Sequence, residues 1–270
     1  MKQSLVQRTK QNVINLAKAK LKGRKIGKLK FKREINSIPL KQYGTTYRFS
    51  GNVVTIQKLG SFKVRGMSQI PKGEFANAVL VRTASGFFLN VTIFIEAEEI
   101  QREGVIGVDF GIKDSIILSD GRKFNWEFSD KNIKRKHRNL SRKKVGSHKH
   151  FKAKRKLKRS YEKYTNKKND AANKFVAMLN RYEKVVIQNE NLRGWQNGFF
   201  GKKIQSGILG RIKSRIENST NSIVVDRYEP TTKICPSCLI KNDMPLSQRD
   251  YRCDCGFYHP SRDVKAASFS

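Results

Sequence analysis

The apolar positions change period along the chain, and each change marks a new kind of element. Residues 1–25 are basic, with Leu5, Val6, Val13, Ile14, Leu16 and Leu21 spaced for a short amphipathic helix. From 28 to about 99 the pattern turns to alternation. Thr46-Tyr-Arg-Phe-Ser50, Val53-Val-Thr-Ile56, Phe62-Lys-Val64, Ala78-Val-Leu-Val-Arg82 and Phe87-Phe-Leu-Asn-Val-Thr-Ile-Phe-Ile95 predict strands, separated by turns at Gly51-Asn52, Gly60-Ser61 and Ser85-Gly86. A small β-barrel whose polar face grips a nucleic-acid backbone fits this pattern, and so does a β-domain whose polar face is merely solvated.

The stretch 105–124 reads as an apolar strand carrying Asp109, a glycine turn at Gly111, a second apolar strand over 115–118 and a polar turn at Ser119-Asp120-Gly121. Two long helices are predicted over 131–182, joined near Val145-Gly146-Ser147. A buried strand from Lys184 ends in polar residues around Glu190, Gly198-Phe-Phe-Gly201 makes a loop, 204–216 is an amphipathic basic helix, and Ser222-Ile-Val-Val-Asp226 is another buried strand. That order describes an interrupted α/β domain.

Charge changes the picture more than any element. The 270-residue chain carries 57 Lys and Arg against 22 Asp and Glu, a formal net charge of +35. Self-repulsion of that size opposes compaction, so it implies a polyanionic partner. With 37% hydrophobic residues, 16 of them Phe, a core is nevertheless available. No apolar run approaches bilayer length and no signal-peptide pattern opens the chain. The basic residues sit inside folded-looking segments rather than beside a lipid anchor, which favours nucleic acid over membrane. They crowd along 131–182, with Lys134, Arg135, Arg142, Lys143, Lys144, Lys154, Arg155 and Lys158 as candidate phosphate contacts.

An Asp inside a buried strand is costly unless it is paired or binds a metal. Gly107 and Gly111 flank Asp109, where backbone must leave room for a close neighbour. Sugar kinases and other actin-like ATPases open with a similar strand, so the remaining carboxylates must come from downstream. Glu190 at a strand end and Asp263 are the candidates; the alternatives are a surface strand end for Glu190 and a helix N-cap for Asp263. All four cysteines lie near the C-terminus, as Cys235-Pro-Ser-Cys238 and Cys253-Asp-Cys255. Paired short spacings predict one structural Zn2+ held by four thiolates, rather than disulfides or free buried thiols. The second pair has one intervening residue where two are usual, so His259 is an alternative ligand.

Four pieces in order, Gly107-Val-Asp-Phe-Gly-Ile-Lys113, Gln188-Asn-Glu-Asn-Leu-Arg-Gly-Trp195, Pro230-Thr-Thr-Lys-Ile-Cys-Pro-Ser-Cys238 and Arg262-Asp-Val-Lys-Ala-Ala267, resemble TnpB, the OrfB protein of insertion sequences. That family is related to type V CRISPR effectors and Fanzor. The resemblance runs from about residue 25 to the end of the chain. It implies a mixed α+β and α/β architecture: a basic N-terminal helix over 1–25, a wedge-type β-barrel over 26–100, an RNase H-like RuvC domain over 101–230 with basic helices inserted at 131–182, a zinc ribbon over 231–258 and a closing RuvC segment over 259–270.

The resemblance further implies an RNA-guided, Mg2+-dependent endonuclease of transposon origin. Two Mg2+ would be held by Asp109, Glu190 and Asp263, with guide RNA and double-stranded target DNA as partners in a prokaryotic cytoplasm, nucleoid-associated. Many members place the second acid where Gln188 stands; others read Gln-Asp-Glu before a tryptophan, as Gln188-Asn189-Glu190 with Trp195 does here, which selects Glu190. Lys265 stands where Asn is common. Only about 25 residues precede the β-unit, too few for the helical recognition lobe of the family, so a shortened member is expected. Competing readings are a non-cutting RNA- or DNA-binding remnant of the same ancestry and a resolvase-like nuclease of branched DNA.

Overall fold

The structure, a computed structural model, describes residues 2–27, 34–96, 101–112, 115–245 and 248–269, and falls into two units, Met1–Glu98 and Glu99–Ser270. The expectations at Lys113, Asp114 and residues 28–33 lie outside the described residues.

In the first unit, helix α1 (Lys2–Leu21) leaves Val6, Val13, Ile14 and Leu21 exposed. Strands β1 (Ser37–Leu40), β2 (Tyr47–Ser50), β3 (Val53–Ile56), β4 (Gly60–Lys63), β5 (Glu74–Arg82) and β6 (Phe87–Phe94) follow. They form two separate three-stranded antiparallel sheets, β1-β5-β6 and β2-β3-β4, and neither closes into the expected barrel. Alternation along a strand reports which face is buried, and says nothing about whether the sheet edges meet. The buried faces are satisfied by a shared cluster, Leu40, Tyr47, Val54, Ile56 and Ala78, drawn from both sheets. Strands of four residues, as β1 to β4 are, also give little length for the tilt and stagger that closure requires. Strand β1 escaped the sequence pattern because it contains Pro39; it lies at a sheet edge, where the missing N–H is tolerated.

The second unit is built on a five-stranded mixed sheet in the order β11-β10-β7-β8-β9. Its strands are β7 (Val105–Phe110), β8 (Ile116–Leu118), β9 (Lys123–Phe124), β10 (Lys184–Gln188) and β11 (Ser222–Val225). At the centre, β7 runs parallel to β10 on one side and antiparallel to β8 on the other. The helices are α2 (Lys131–Ser141), α3 (His148–Leu179), α4 (Leu192–Gln196), α5 (Gly201–Ser206), α6 (Leu209–Glu217) and α7 (Arg262–Phe269). The core brings Ile106, Val108 and Phe110 of β7 against Phe175 and Leu179 of α3 and Ile212 and Ile216 of α6.

Two sequence expectations change here. The helix predicted over 204–216 is two helices, interrupted at Gly207, whose extended ψ of −164° breaks the turn. Strand β11 is not buried as predicted: Ile223 and Val224 are 44% and 45% exposed, because the strand sits at the sheet edge. Apolar runs do not distinguish a covered edge from an open one. The joint between α2 and α3 falls where expected; Gly146 takes a φ of 84° and Ser147 caps α3 by accepting from His150 N at 3.1 Å. The cysteine segment adds the short pair β12 (Tyr251–Arg252) and β13 (Tyr258–His259). Among the described residues, no helix is long and apolar enough to cross a membrane.

Candidate active site

Asp109 lies on the central strand β7, opposite Ile117 of β8. Burial pushes its carboxyl up to about 7, and the negative charges of Asp263 and Glu190 push in the same direction. Asp109 therefore feels the charge of two acids that lie 81 and 154 positions further along the sequence.

Glu190 stands two residues past the end of β10, half-buried. Burial raises its carboxyl as well, against the opposing charges of Lys213 and Arg227. Lys213 Nζ fixes the backbone beneath it, donating to the Glu190 carbonyl at 2.7 Å and to Asn189 Oδ1 at 2.8 Å. Asn191 caps α4 by accepting from Gly194 N at 3.1 Å, which turns the chain away directly after the acid. Gln188, the other candidate position, spends its side-chain amide on the 226–229 turn. Its Nε2 donates to the carbonyls of Asp226, Arg227 and Glu229 at 3.3, 3.2 and 2.8 Å.

Asp263 is in the first turn of α7, where a carboxylate suits the helix dipole. It is not the cap: Ser261 Oγ accepts from Val264 N at 3.4 Å, and Ser261 N is held by His259 Nδ1 at 3.1 Å. Arg262, only 8% exposed, aims its Nε at Asp263 Oδ1 from 3.7 Å, while Arg249 approaches Oδ2 at 3.8 Å. Among the described residues the Arg262 Nε has no hydrogen-bond partner, although its Nη1 donates to the Pro245 carbonyl at 3.1 Å. Sequence reasoning missed Arg262; its place beside Asp263 was visible, but nothing in the pattern marked an arginine at that position as buried.

Asp109 and Asp263 open onto a cleft of about 910 Å³. Lys123, Lys203 and Arg249 supply its cations, and Trp195 and Phe200 its aromatic wall; Glu190 does not line it. Lys203 Nζ donates to the Ile112 carbonyl at 2.5 Å, tying α5 to the loop after Asp109. Among the described residues the three carboxylates are not drawn into a group whose ligand atoms all lie within 4.8 Å; the four cysteines are.

That cysteine group meets the geometry of a tetrahedral thiolate site. Cys235 Sγ and Cys255 Sγ are 3.6 Å apart, and Cys238 Sγ and Cys253 Sγ 3.5 Å. A zinc with bonds of about 2.3 Å needs sulfurs about 3.8 Å apart. The backbone amide of Cys255 is the largest influence lowering the Cys253 thiol to about 6, whereas Cys238 and Cys255, against the lowering effect of backbone amides, are raised by burial and the neighbouring sulfurs. The single-residue spacing of the second pair is thus accommodated, and His259, its imidazole engaged with Ser261, is outside the group. The cluster reaches α7 through Lys265, which is 1% exposed. Its Nζ donates to the carbonyls of Thr231 and Thr232 at 2.8 and 3.3 Å and lies 4.0 Å from the Tyr251 ring centre.

The basic helices form a hairpin. Arg135, Lys136, Arg138, Arg142 and Lys156, with Asn139 and Ala153, line a groove of about 430 Å³ between α2 and α3, with no acid among these lining residues. Of the expected contacts, Arg135 and Arg142 line it. Lys144, Lys154, Arg155 and Lys158 are exposed elsewhere on the hairpin, Lys143 is half-buried, and Lys134 pairs with Asp130 at 3.0 Å. Lys136, Arg138 and Lys156 were missed as groove residues, since a charge run does not tell which residues face the partner helix. His137 and Tyr161 hydrogen-bond across the hairpin at 2.5 Å and Lys136 donates to Ser160, so the two helices are fixed in register.

No family model matches the chain. A protein of Streptomyces pristinaespiralis, named "Putative RNA-guided DNA endonuclease", is 32% identical over 174 residues, covering 60% of this chain and 43% of its own length. Two solved structures are similar at low level. One, a Cas12f1–sgRNA–target DNA complex, has a TM-score of 0.47 and 14% identity over 86% of this chain and 58% of its own. The other, a CRISPR-Cas12f ternary complex, has a TM-score of 0.32 and 18% identity over 80% and 50%. The chain thus spans less than half of its curated relative.

Proposed function

We propose that this chain, a relative of an RNA-guided DNA endonuclease, belongs with the TnpB-like nucleases and hydrolyses DNA phosphodiester bonds under the direction of a bound RNA. The observation that carries the reading is that Asp109, buried on the central strand, opens with Asp263 onto one cleft and feels the charge of both Asp263 and Glu190. In this reading residues 101–230 with 259–270 form the RuvC domain, 231–258 the zinc ribbon, and the first unit the wedge-like β-region.

The acids suit divalent cations for a physical reason: three carboxylates in partial burial repel one another, and only protons or cations relieve that repulsion. Asp109, Glu190 and Asp263 would hold Mg2+. Bound there, Mg2+ would supply Lewis acidity for in-line hydrolysis and neutralise charge on the leaving 3′ oxygen. The chain's own residues do the rest. Lys213 holds the Glu190 backbone in place, Arg262 sets the direction of Asp263, and Lys123, Lys203 and Arg249 attract the substrate's phosphates. The α2–α3 groove binds backbone at a distance from the chemistry, as sequence-independent phosphate contacts do. Zinc, in the four-thiolate group, would be structural, because four protein ligands leave no open position.

A second reading is favoured by one observation. Among the described residues the three carboxylates are not gathered into a group that could hold a metal ion, as the four cysteines are, and a chain that binds nucleic acid without cutting it needs no such group. The two separate experimentally. The complex is purified after co-expression with its native flanking DNA, the co-purifying RNA is sequenced, and DNA matching that RNA is offered in Mg2+. Cleavage of matching DNA alone supports the nuclease. RNA binding without cleavage in either Mg2+ or Mn2+ supports the second reading.

A further inference from the structure

The loop between α4 and α5 places two phenylalanines where no folding requirement explains them. Phe199 is 97% exposed and Phe200 50% exposed, their rings edge-to-face with centres 5.3 Å apart. A phenylalanine this exposed contributes nothing to the core, whereas burying it would stabilise the chain. The loop that presents the pair is tightly built: a methyl group on Gly201 would fall 2.0 Å from the Gln196 carbonyl oxygen, so the backbone folds back on itself beneath the rings. Phe200 lines the same cleft as Asp109 and Asp263, beside Trp195 and among Lys123, Lys203 and Arg249.

A cleft with carboxylates, cations around them and Phe200 on its wall, with the exposed Phe199 ring set edge-to-face against Phe200, fits a ligand that is planar and apolar in one part and anionic in another. An unpaired nucleotide meets that description. The cations take the backbone phosphate and a ring takes the face of the base, a combination that recurs in proteins that hold single strands. A protein partner is the poorer fit, since stable interfaces bury roughly 1,200–2,000 Å² around an apolar centre. Here two rings stand among charged residues.

We propose that Phe199 and Phe200 form a stacking platform for an unpaired base of single-stranded DNA entering the carboxylate cleft. The inference rests on the nuclease reading for its location, and on the aromatic pair for its chemistry. Stacking one base on an aromatic side chain contributes about 1–3 kcal/mol by substitution.

The test uses the full chain in an Asp109→Asn background, so that the probe is not consumed. The probe is a short single-stranded DNA with 2-aminopurine placed at each position in turn. Stacking is expected to quench one position, and Phe199→Leu or Phe200→Leu to abolish that quench and weaken binding roughly 5- to 100-fold. Phe199→Tyr is expected to retain both. Because Phe199 is nearly fully exposed, its replacement leaves folding intact, which thermal melting verifies.

Unchanged quenching and affinity in both leucine variants overturn the proposal. So does the outcome in which Phe199→Leu leaves the probe unaffected but dissolves a dimer, which would assign the rings to a second copy of the chain. Cleavage by the wild-type chain is measured separately: quenching without cleavage sinks the nuclease reading and leaves the platform standing, and cleavage unaffected by Phe199→Leu does the reverse.

Discussion

A methyl group placed on Gly107 would lie 1.6 Å from the carbonyl oxygen of Ala267, so β7 and α7 touch backbone to backbone. This contact sets the depth at which α7 packs, and α7 carries Asp263 while β7 carries Asp109. The glycine two residues before Asp109 therefore fixes the position of Asp263. Gly107→Ala is expected to destabilise by about 1–3 kcal/mol or more, since neither backbone can yield cheaply. Its melting temperature should fall by on the order of 5 °C. Gly210→Ala, where nothing lies within 4 Å of the added carbon in an exposed helical position, should instead stabilise by about 0.4–1 kcal/mol. Equal effects in the two variants would contradict the packing account.

Asp109 gives a pH dependence whose direction is fixed. With its carboxyl pushed from an ordinary 3.8 up to about 7, the folded, metal-free chain binds more protons than the unfolded chain between those values. That stabilisation is full below about pH 4 and is lost as pH rises through about 7. Asp109→Asn should therefore stabilise the metal-free chain above pH 7, by on the order of 2–4 kcal/mol at most, and do little near pH 4. Thermal melts across pH check it. A variant destabilised at high pH would mean that Asp109 is paired with a cation of the protein.

The sequence marked the candidate residues more clearly than their surroundings. Asp109 in an apolar strand, Glu190 beyond a strand end and four cysteines at short spacing are local signals, each with a physical cost that needs a partner to explain it. What joins them is not local. Whether Gln188 or Glu190 faces the acids depends on which residue the 226–229 turn captures, and that turn lies 38 or more positions away. The open sheets of the first unit went unread because alternation does not encode closure. The buried state of Lys265 went unread because its partners, Thr231, Thr232 and the Tyr251 ring, belong to the cysteine segment.

That link makes the cysteine group matter to α7. Cys235→Ser, or zinc removal by a chelator, should lower soluble yield and melting temperature together, because metal binding of this kind is coupled to folding. Metal analysis of the wild type is expected to return about one zinc per chain. Normal yield and melting in Cys235→Ser would contradict a structural metal.

The α2–α3 groove should act through charge alone. Replacing Arg138, Arg142 and Lys156 together by Gln should weaken nucleic-acid binding about equally for all sequences. The slope of log affinity against log salt should fall by roughly 0.7–0.9 for each phosphate that the substituted groove no longer neutralises. An unchanged slope would place the phosphate-binding side chains elsewhere on the hairpin.

The most direct test of the central claim, that Asp109, Glu190 and Asp263 serve one reaction, is cleavage in Mg2+ of DNA matching the co-purified RNA. Wild type would be compared with Asp109→Ala, Glu190→Ala, Asp263→Ala and Gln188→Ala. The account expects each acid variant to lose cleavage by several orders of magnitude while keeping RNA binding, and Gln188→Ala to keep measurable activity. Cleavage that survives loss of Glu190, or a wild type as silent as its variants, would contradict it.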